Sequence, residues 1–348
     1  MPKKITLSDI ASSLGVSKTL VSMVINNKAD QYGISKETQK RVRKKVTELN
    51  FQPNVLARGF RTGKTNTIGL IVSDISNIFY ARIARKIEDY AWKHGYSVVI
   101  CSTDEDIEKE KDQIRMLRGR KVDGMIISSS MEDASFFNQL HEVGVPHVLI
   151  DRTFPDMNSA NVSVDNYGGG RLAALHLLSQ GYTRAAILAI APEHISTIND
   201  RFLGFKSAFE EAGISIPDYW NIRAPFNKIE DSVNENLERL HLDNNLPQAI
   251  FSLNNNLTTQ CLSCLRELSI DVPGQVALIG FDSLVHYTVT TPSISALQQP
   301  IDQIGERAFD LLLRQIKETK IAKNEWSAQL PVDLIVRESS IRPSGYQK

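Results

Sequence analysis

The segment Ile5-Thr6-Leu7-Ser8-Asp9-Ile10-Ala11-Ser12-Ser13-Leu14-Gly15-Val16-Ser17-Lys18-Thr19-Leu20-Val21-Ser22 reads as two short helices broken by one glycine. Leu7, Ile10, Ala11 and Leu14 recur at helical spacing and share a face. Gly15 follows them where a left-handed residue closes a helix at no steric cost. Ser17 is then placed to cap a second helix over 17–26, with Leu20, Val21 and Val24 as its apolar stripe. Asn26 to Ser35 is a polar loop, and Val42, Val46 and Leu49 mark a third helix whose other face is rich in Lys and Arg. Three short helices with a tight turn between the first two describe a helix-turn-helix module over residues 1–50.

Beyond Thr67 the texture changes. Ile68-Gly69-Leu70-Ile71-Val72 and Ser97-Val98-Val99-Ile100 flank a helical stretch near 79–94. Gly124–Ile127, His147–Ile150, Ala185–Leu188, Ala249–Phe251 and Val276–Ile279 continue the alternation. Short, continuous apolar runs separated by helices mean parallel strands buried on both faces. Roughly nine such strands exceed what one doubly wound lobe needs, so the expected core is α/β, made of two similar lobes with a ligand cleft between them. The expected N-lobe takes in about 66–166 and 297–326, and the C-lobe about 167–296 and 327–342.

Composition agrees with a soluble, cytoplasmic protein. The chain has 348 residues, 42% hydrophobic and 23% charged, and no run approaches the ~18 apolar residues of a membrane span. Basic residues at the start have no apolar core behind them, so no signal peptide is expected. Three cysteines cannot form a disulfide framework. The net charge of zero is unevenly spread: residues 1–65 hold nine Lys and four Arg against two Asp and two Glu, a net +9. The other 283 residues hold 27 basic and 36 acidic groups, a net −9. A basic head on an acidic body points to nucleic acid.

The opening segment, together with Phe51-Gln52-Pro53-Asn54-Val55-Leu56-Ala57-Arg58, closely resembles the LacI/GalR family of bacterial transcriptional regulators. The likeness continues through Ile68–Ile71, Asp74-Ile75-Ser76-Asn77-Ile78-Phe79-Tyr80 and Ile279-Gly280-Phe281-Asp282, and ends near Arg342. It implies a repressor-type regulator: a DNA-binding head, a hinge over 51–65, and a periplasmic-binding-protein-like core that forms a homodimer and senses a small ligand. Lys18, Thr19 and Met23 match the family's base-reading positions in the major groove. Met23 stands where many members carry arginine, so a bidentate contact to guanine is unavailable there; the alternative is that it joins the core of the head. Ser17, Ser22, Asn26, Ser35, Thr38, Asn54 and Arg58 match backbone-phosphate positions, although the hydroxyls equally suit helix caps and turns. The loop Asn27–Ile34 is about three residues longer than in familiar repressors.

Within the hinge, Asn54 to Phe60 is too short to hold a helix alone. Phe60 occupies the place of the leucine that wedges into the minor groove; packing on the core is the alternative. By the same resemblance Arg201, Asn254, Asp282 and Gln299 are polar effector contacts. Asn77, Phe79, Tyr80, Asp151 and Arg152 follow strands at the end where a ligand would lie. Their chemistry suits a polyol, the expected effector being a sugar or its derivative; an interlobe salt bridge or strand cap is the alternative role. Asn255 replaces the acidic residue usual after that asparagine. A nucleobase or a phosphoprotein corepressor is the rival partner.

Other motifs lead nowhere. Gly59–Thr65 is one residue short of a phosphate loop, and Gly168-Gly169-Gly170-Arg171-Leu172-Ala173 fits G-x-G-x-x-A only by letter. Asp165-Asn166-Tyr167 separates those glycines from the strand, which makes them a helix start with Asp165 structural. Cys261 and Cys264 lack a second ligand pair, so buried thiols are expected and no metal or cofactor. No nucleophile–base set is present to make an enzyme.

Overall fold

A computed structural model describes residues 5–51, 64–192, 194–319, 322 and 325–343. Asn54, Arg58 and Phe60 therefore lie outside the described residues. The chain divides into two units, Met1–Thr65 and Asn66–Lys348.

The head holds three helices, α1 (Leu7–Leu14), α2 (Lys18–Ile25) and α3 (Lys36–Glu48). Thr6 and Asp9 form a capping box: Thr6 Oγ1 accepts from the Asp9 amide at 3.3 Å and the Asp9 carboxylate accepts from the Thr6 amide at 2.8 Å. Gly15 takes φ 66° and closes α1. Ser17 accepts from the Leu20 amide at 3.1 Å and opens α2. Ile10, Val21, Val24 and Val42 are buried between the three helices. The stretch after α2 is more ordered than its polarity implies. A 3-10 turn, Asp30–Tyr32, sits over buried Ala29, and the Asp30 carboxylate accepts from Lys36 Nζ and Gln39 Nε2, both at 2.8 Å.

In the second unit two sheets each carry six strands. The first runs β2 (Ser97–Ser102), β1 (Thr67–Val72), β3 (Gly124–Ile127), β4 (His147–Ile150), β5 (Ala160–Val164) and β11 (Ser327–Leu330), all parallel. The second runs β7 (Asn221–Pro225), β6 (Ala185–Ala191), β8 (Ala249–Ser252), β9 (Ala277–Phe281), β10 (Ser295–Gln298) and β12 (Asp333–Ile335), of which only β12 is antiparallel. Both follow the doubly wound order in which the chain reverses beside the first strand of the sheet, and ligands bind at the carboxyl ends of such strands.

Twelve strands among the described residues exceed the nine expected, and two expected lobe boundaries move. Leu297 pairs with Phe281, so 297–298 belong to the C-lobe sheet. Ser327 pairs with Asn161, so β11 belongs to the N-lobe and not the C-lobe. The crossings therefore fall after β5, after β10 and between β11 and β12. Ser327-Ala328-Gln329-Leu330 escapes detection because an edge strand needs no apolar run; its side chains alternate between exposed and half-buried.

Candidate ligand cleft and nucleic-acid interface

Six strands of the core each deliver a lining side chain just past the carboxyl end. β1 leads to Ser73 and Asn77, β2 to Glu105, β4 to Asp151 and Arg152, β8 to Asn254, β9 to Asp282 and β10 to Gln299. Arg201 comes from the helix Ser196–Glu211, and Phe79 and Tyr80 from the helix Ile78–Lys93. All nine effector candidates line one cavity between the lobes, the place where a doubly wound core takes its ligand. Ser73, Glu105, Ile190, Ile195, Thr197, Ile198 and Phe226 also line it and were not anticipated.

Local backbone explains why carboxylates stand there. Asp151 has φ 67° and Asp282 φ 72°, so each strand ends in a left-handed turn that re-aims its last side chain. Asp tolerates this region better than most residues, and such conformations gather where function requires them. Glu105 is presented in the same way, with Asp104 at φ 56° and Glu105 at φ 59°.

In the C-lobe half, Arg201 donates from Nε to Asn166 Oδ1 at 2.8 Å and from Nη1 to the Leu253 carbonyl at 2.7 Å. Its guanidinium lies 3.5 Å over the Phe281 ring. Gln299 Nε2 donates to Asp282 Oδ1 at 2.6 Å. Asn254 Oδ1 accepts from the Leu257 amide at 2.9 Å and caps the helix that follows, the bland role, while still facing the cavity. Burial lifts the Asp282 carboxyl above its usual range, against the pull of Arg201 and Gln299. Burial likewise lowers the Arg201 guanidinium, although Asp282 and Asp151 oppose it.

In the N-lobe half, Tyr80 donates its hydroxyl to Asp151 Oδ2 at 2.9 Å and lies 3.0 Å from Ser128 Oγ. Phe79 meets Tyr80 edge to face. Arg152 makes a two-pronged ion pair with Glu105, Nη2 to Oε1 at 2.5 Å and Nη1 to Oε2 at 2.7 Å. Burial alone would lower Arg152, but Tyr80, Glu105 and Asp151 more than offset it and hold the guanidinium above its usual range. Burial alone would raise Glu105; the Arg152 charge and hydrogen bonds win and depress it.

That pair fixes a pH dependence. A depressed carboxylate adds stability above its unfolded value of 4.5 and loses it as pH falls through the lower folded value. Glu105→Gln is expected to destabilise the core at pH 7 by about 3 kcal/mol, because it strands a buried guanidinium. Denaturant unfolding of both proteins should show that gap closing below pH 4.5. A gap that is constant with pH excludes the ion pair as its source.

The lobes are joined across the cleft mouth. Asn255 Nδ2 donates to Asn77 Oδ1 at 2.8 Å, His194 Nε2 lies 3.1 Å from the Ser130 carbonyl, and the Thr153 amide donates to Ser196 Oγ at 3.0 Å. The departure at Asn255 has its reason here, since an aspartate could not donate to Asn77.

On the head, Lys18 and Thr19 are exposed. Met23 is half-buried but lies outside the apolar cluster of the three helices, so it is not a core residue. Ser17 and Ser35 cap α2 and α3, Thr38 Oγ1 lies 2.9 Å from Ser35 Oγ, and Asn26 Nδ2 donates to the Ser22 carbonyl at 2.7 Å. Asp165 caps its helix by accepting from the Gly168 amide at 2.8 Å, and Cys261 and Cys264 are buried thiols. Among the described residues no helix is long and apolar enough to cross a membrane.

Comparison with known proteins covers both units. Residues 6–54 match the bacterial regulatory proteins of the lacI family, and residues 174–340 match the periplasmic binding protein-like domain. The HTH-type transcriptional regulator DegA of Bacillus subtilis (strain 168) is 34% identical over 97% of this chain and 98% of its own. A lac repressor dimer bound to operator and the anti-inducer ONPF superposes with a TM-score of 0.84 at 22% identity, over 97% of this chain and 100% of that one. The transcriptional regulator CelR in complex with cellobiose gives 0.69 at 26% identity, over 96% and 99%.

Proposed function

Because the chain belongs to the LacI family of bacterial transcriptional regulators, we propose that it is a homodimeric repressor whose operator affinity is set by a small polar ligand, a sugar or sugar derivative, held between the lobes. Its relatives are transcriptional regulators and not enzymes. One observation carries the ligand half of this reading. Polar groups from both lobes converge on a single buried cavity, with Arg201, Asn254, Asp282 and Gln299 on one side and Tyr80, Asp151 and Arg152 on the other. Two atoms there, Gln299 Oε1 and Arg152 Nε, are buried without a hydrogen-bond partner, which is costly unless a ligand or water supplies one. A cellobiose complex of a 26% identical regulator supports a carbohydrate.

On the DNA side the assignment is Lys18, Thr19 and Met23 to base edges, and Ser17, Ser22, Asn26, Ser35 and Thr38 to phosphates. Asn54, Arg58 and Phe60 are assigned from the resemblance alone. Ligand binding changes the angle between lobes, and the segment 51–65 passes this to the head; coupling of about 1–3 kcal/mol alters operator affinity about 5- to 150-fold.

The test is a thermal-shift screen of the full chain against monosaccharides, disaccharides, sugar phosphates and nucleobases, since a ligand of the folded state raises apparent stability by mass action. Arg201→Ala should then weaken the hit by about 30-fold or more, the cost of removing a buried charge-assisted partner. Operator binding without ligand should survive. A ligand response that persists in Arg201→Ala refutes the cleft as the effector site.

A further inference from the structure

The cavity contains an arginine that already has its counter-ion. Arg152 is engaged by both oxygens of Glu105, and its Nη1 also donates to the Ser129 carbonyl at 2.8 Å and to Ser130 Oγ at 3.2 Å. The two side chains are 7% and 9% exposed, so the pair is desolvated and is not a surface contact. It is also held in place. The Asp104 amide donates to the Ser73 carbonyl at 2.7 Å, and Asp104 and Glu105 are both fixed in the left-handed region. Glu105 further accepts from Ser130 Oγ at 2.7 Å.

We propose that Glu105 is a specificity-determining residue: by occupying Arg152 it makes the cleft take an uncharged polyhydroxyl ligand and reject that ligand's carboxylate and phosphate counterparts. This rests on the reading of the cleft as the effector site. Charge comes first. Glu105, Asp151 and Asp282 face the cavity with only Arg152 and Arg201 to balance them, and Arg201 has already committed Nε and Nη1 within its own lobe. An anionic ligand adds a further negative charge to a desolvated site with no cation in excess, the situation that proteins avoid. Hydrogen bonding points the same way. Arg152 Nε makes no hydrogen bond, the Asp151 carboxylate standing 3.9 Å away, and Gln299 Oε1 lacks a donor. Hydroxyl groups are both donors and acceptors, whereas an ionised carboxylate accepts only.

The test is calorimetric titration of the full chain with matched ligands at one ionic strength: glucose, glucuronate and glucose 6-phosphate; galactose and galacturonate; ribose and ribose 5-phosphate. The expected result is that the neutral member binds wild type at least tenfold more tightly than its anionic counterpart, and that inorganic phosphate leaves the melting temperature unmoved. In Glu105→Gln the ratio should narrow or reverse, and phosphate should now stabilise the protein through the freed Arg152. That gain should vanish in Glu105→Gln/Arg152→Gln. An anionic member that binds wild type as tightly as its neutral partner overturns the proposal, as does a ratio unchanged by Glu105→Gln. The wild-type comparison stands even if the variants fold poorly. If no member binds and Arg201→Ala is also without effect on any hit from the wider screen, the cleft reading itself fails. A hit that depends on Arg201 but is anionic defeats the Glu105 assignment alone.

Discussion

Gly204→Val is expected to lower the melting temperature of the core by about 6–12 °C, the shift that about 3 kcal/mol produces in a domain of this size. The helices Asn166–Ser179 and Ser196–Glu211 meet through reciprocal glycines. A Cβ on Gly204 would stand 2.0 Å from the Tyr167 carbonyl oxygen and 2.8 Å from its carbon; one on Gly170 would stand 2.2 Å from the Arg201 oxygen. The obstacles are backbone atoms, which cannot rotate away, so one helix must move. Helical glycine otherwise costs about 1 kcal/mol against alanine, and the sign of the effect is therefore diagnostic. Gly119, at the end of Ile107–Gly119, has open space around its missing Cβ. Gly119→Ala should be neutral or stabilising while Gly204→Val is strongly destabilising, as thermal melts of the two proteins will show. Equal effects would mean that backbone approach is not what keeps glycine at 204. Because the atom struck from Gly170 belongs to Arg201, Gly170→Ala should also weaken the cleft ligand.

Those glycines show what a sequence discloses and what it hides. As letters, Gly168–Ala173 imitate a dinucleotide fingerprint; the interval Asp165-Asn166-Tyr167 before them marks a helix start, and nothing in the letters shows that a second helix presses on them. Strands with continuous apolar runs, such as Ile68–Val72, were legible because burial on both faces forces that composition. β5 was legible only as the strand before Asp165 and not as an apolar run, since Asn161 and Ser163 are buried in it; Asn161 Oδ1 accepts from Ser327 Oγ at 3.1 Å on the neighbouring strand. The same contrast runs through the cleft. Asp151 and Asp282 stand out as carboxylates directly after apolar runs. Glu105 sits in Asp104-Glu105-Asp106-Ile107-Glu108, a stretch that reads as a solvated charge cluster. Two left-handed residues turn it inward, and its partner lies 47 positions away. The usable signal was position: Glu105 follows β2 as Asp151 follows β4.

Operator affinity should fall by at least about a thousandfold between about 50 and 200 mM salt if lysines and arginines of the head neutralise about six phosphates. Charge is separated along the chain, +9 over residues 1–65 against −9 over the remainder. Each phosphate neutralised by a lysine or arginine releases condensed counterions, so the slope of log affinity against log salt counts the contacts. On α3 the side chains of Lys36 and Lys44 are 80% and 79% exposed, but Lys36 is paired with Asp30 and Lys44 lies 3.9 Å from Glu48. Exposed pairs of this kind contribute little and are screened by salt, which leaves both lysines able to exchange carboxylate for phosphate. Lys18, exposed at the start of α2, is assigned instead to a base edge. Lys18→Ala should therefore relax sequence preference by about 1–3 kcal/mol at one position. Replacing a phosphate-contacting lysine should instead weaken all sequences alike and reduce the slope by about one. The acidic core, carrying the same sign as the duplex, is expected to restrict the interaction to the head and the segment after it. Fluorescence anisotropy across a salt series with operator and scrambled duplexes measures both quantities. An affinity independent of salt would remove the reading of the basic head as a phosphate-neutralising surface, and equal losses for both duplexes in Lys18→Ala would remove the base-reading assignment.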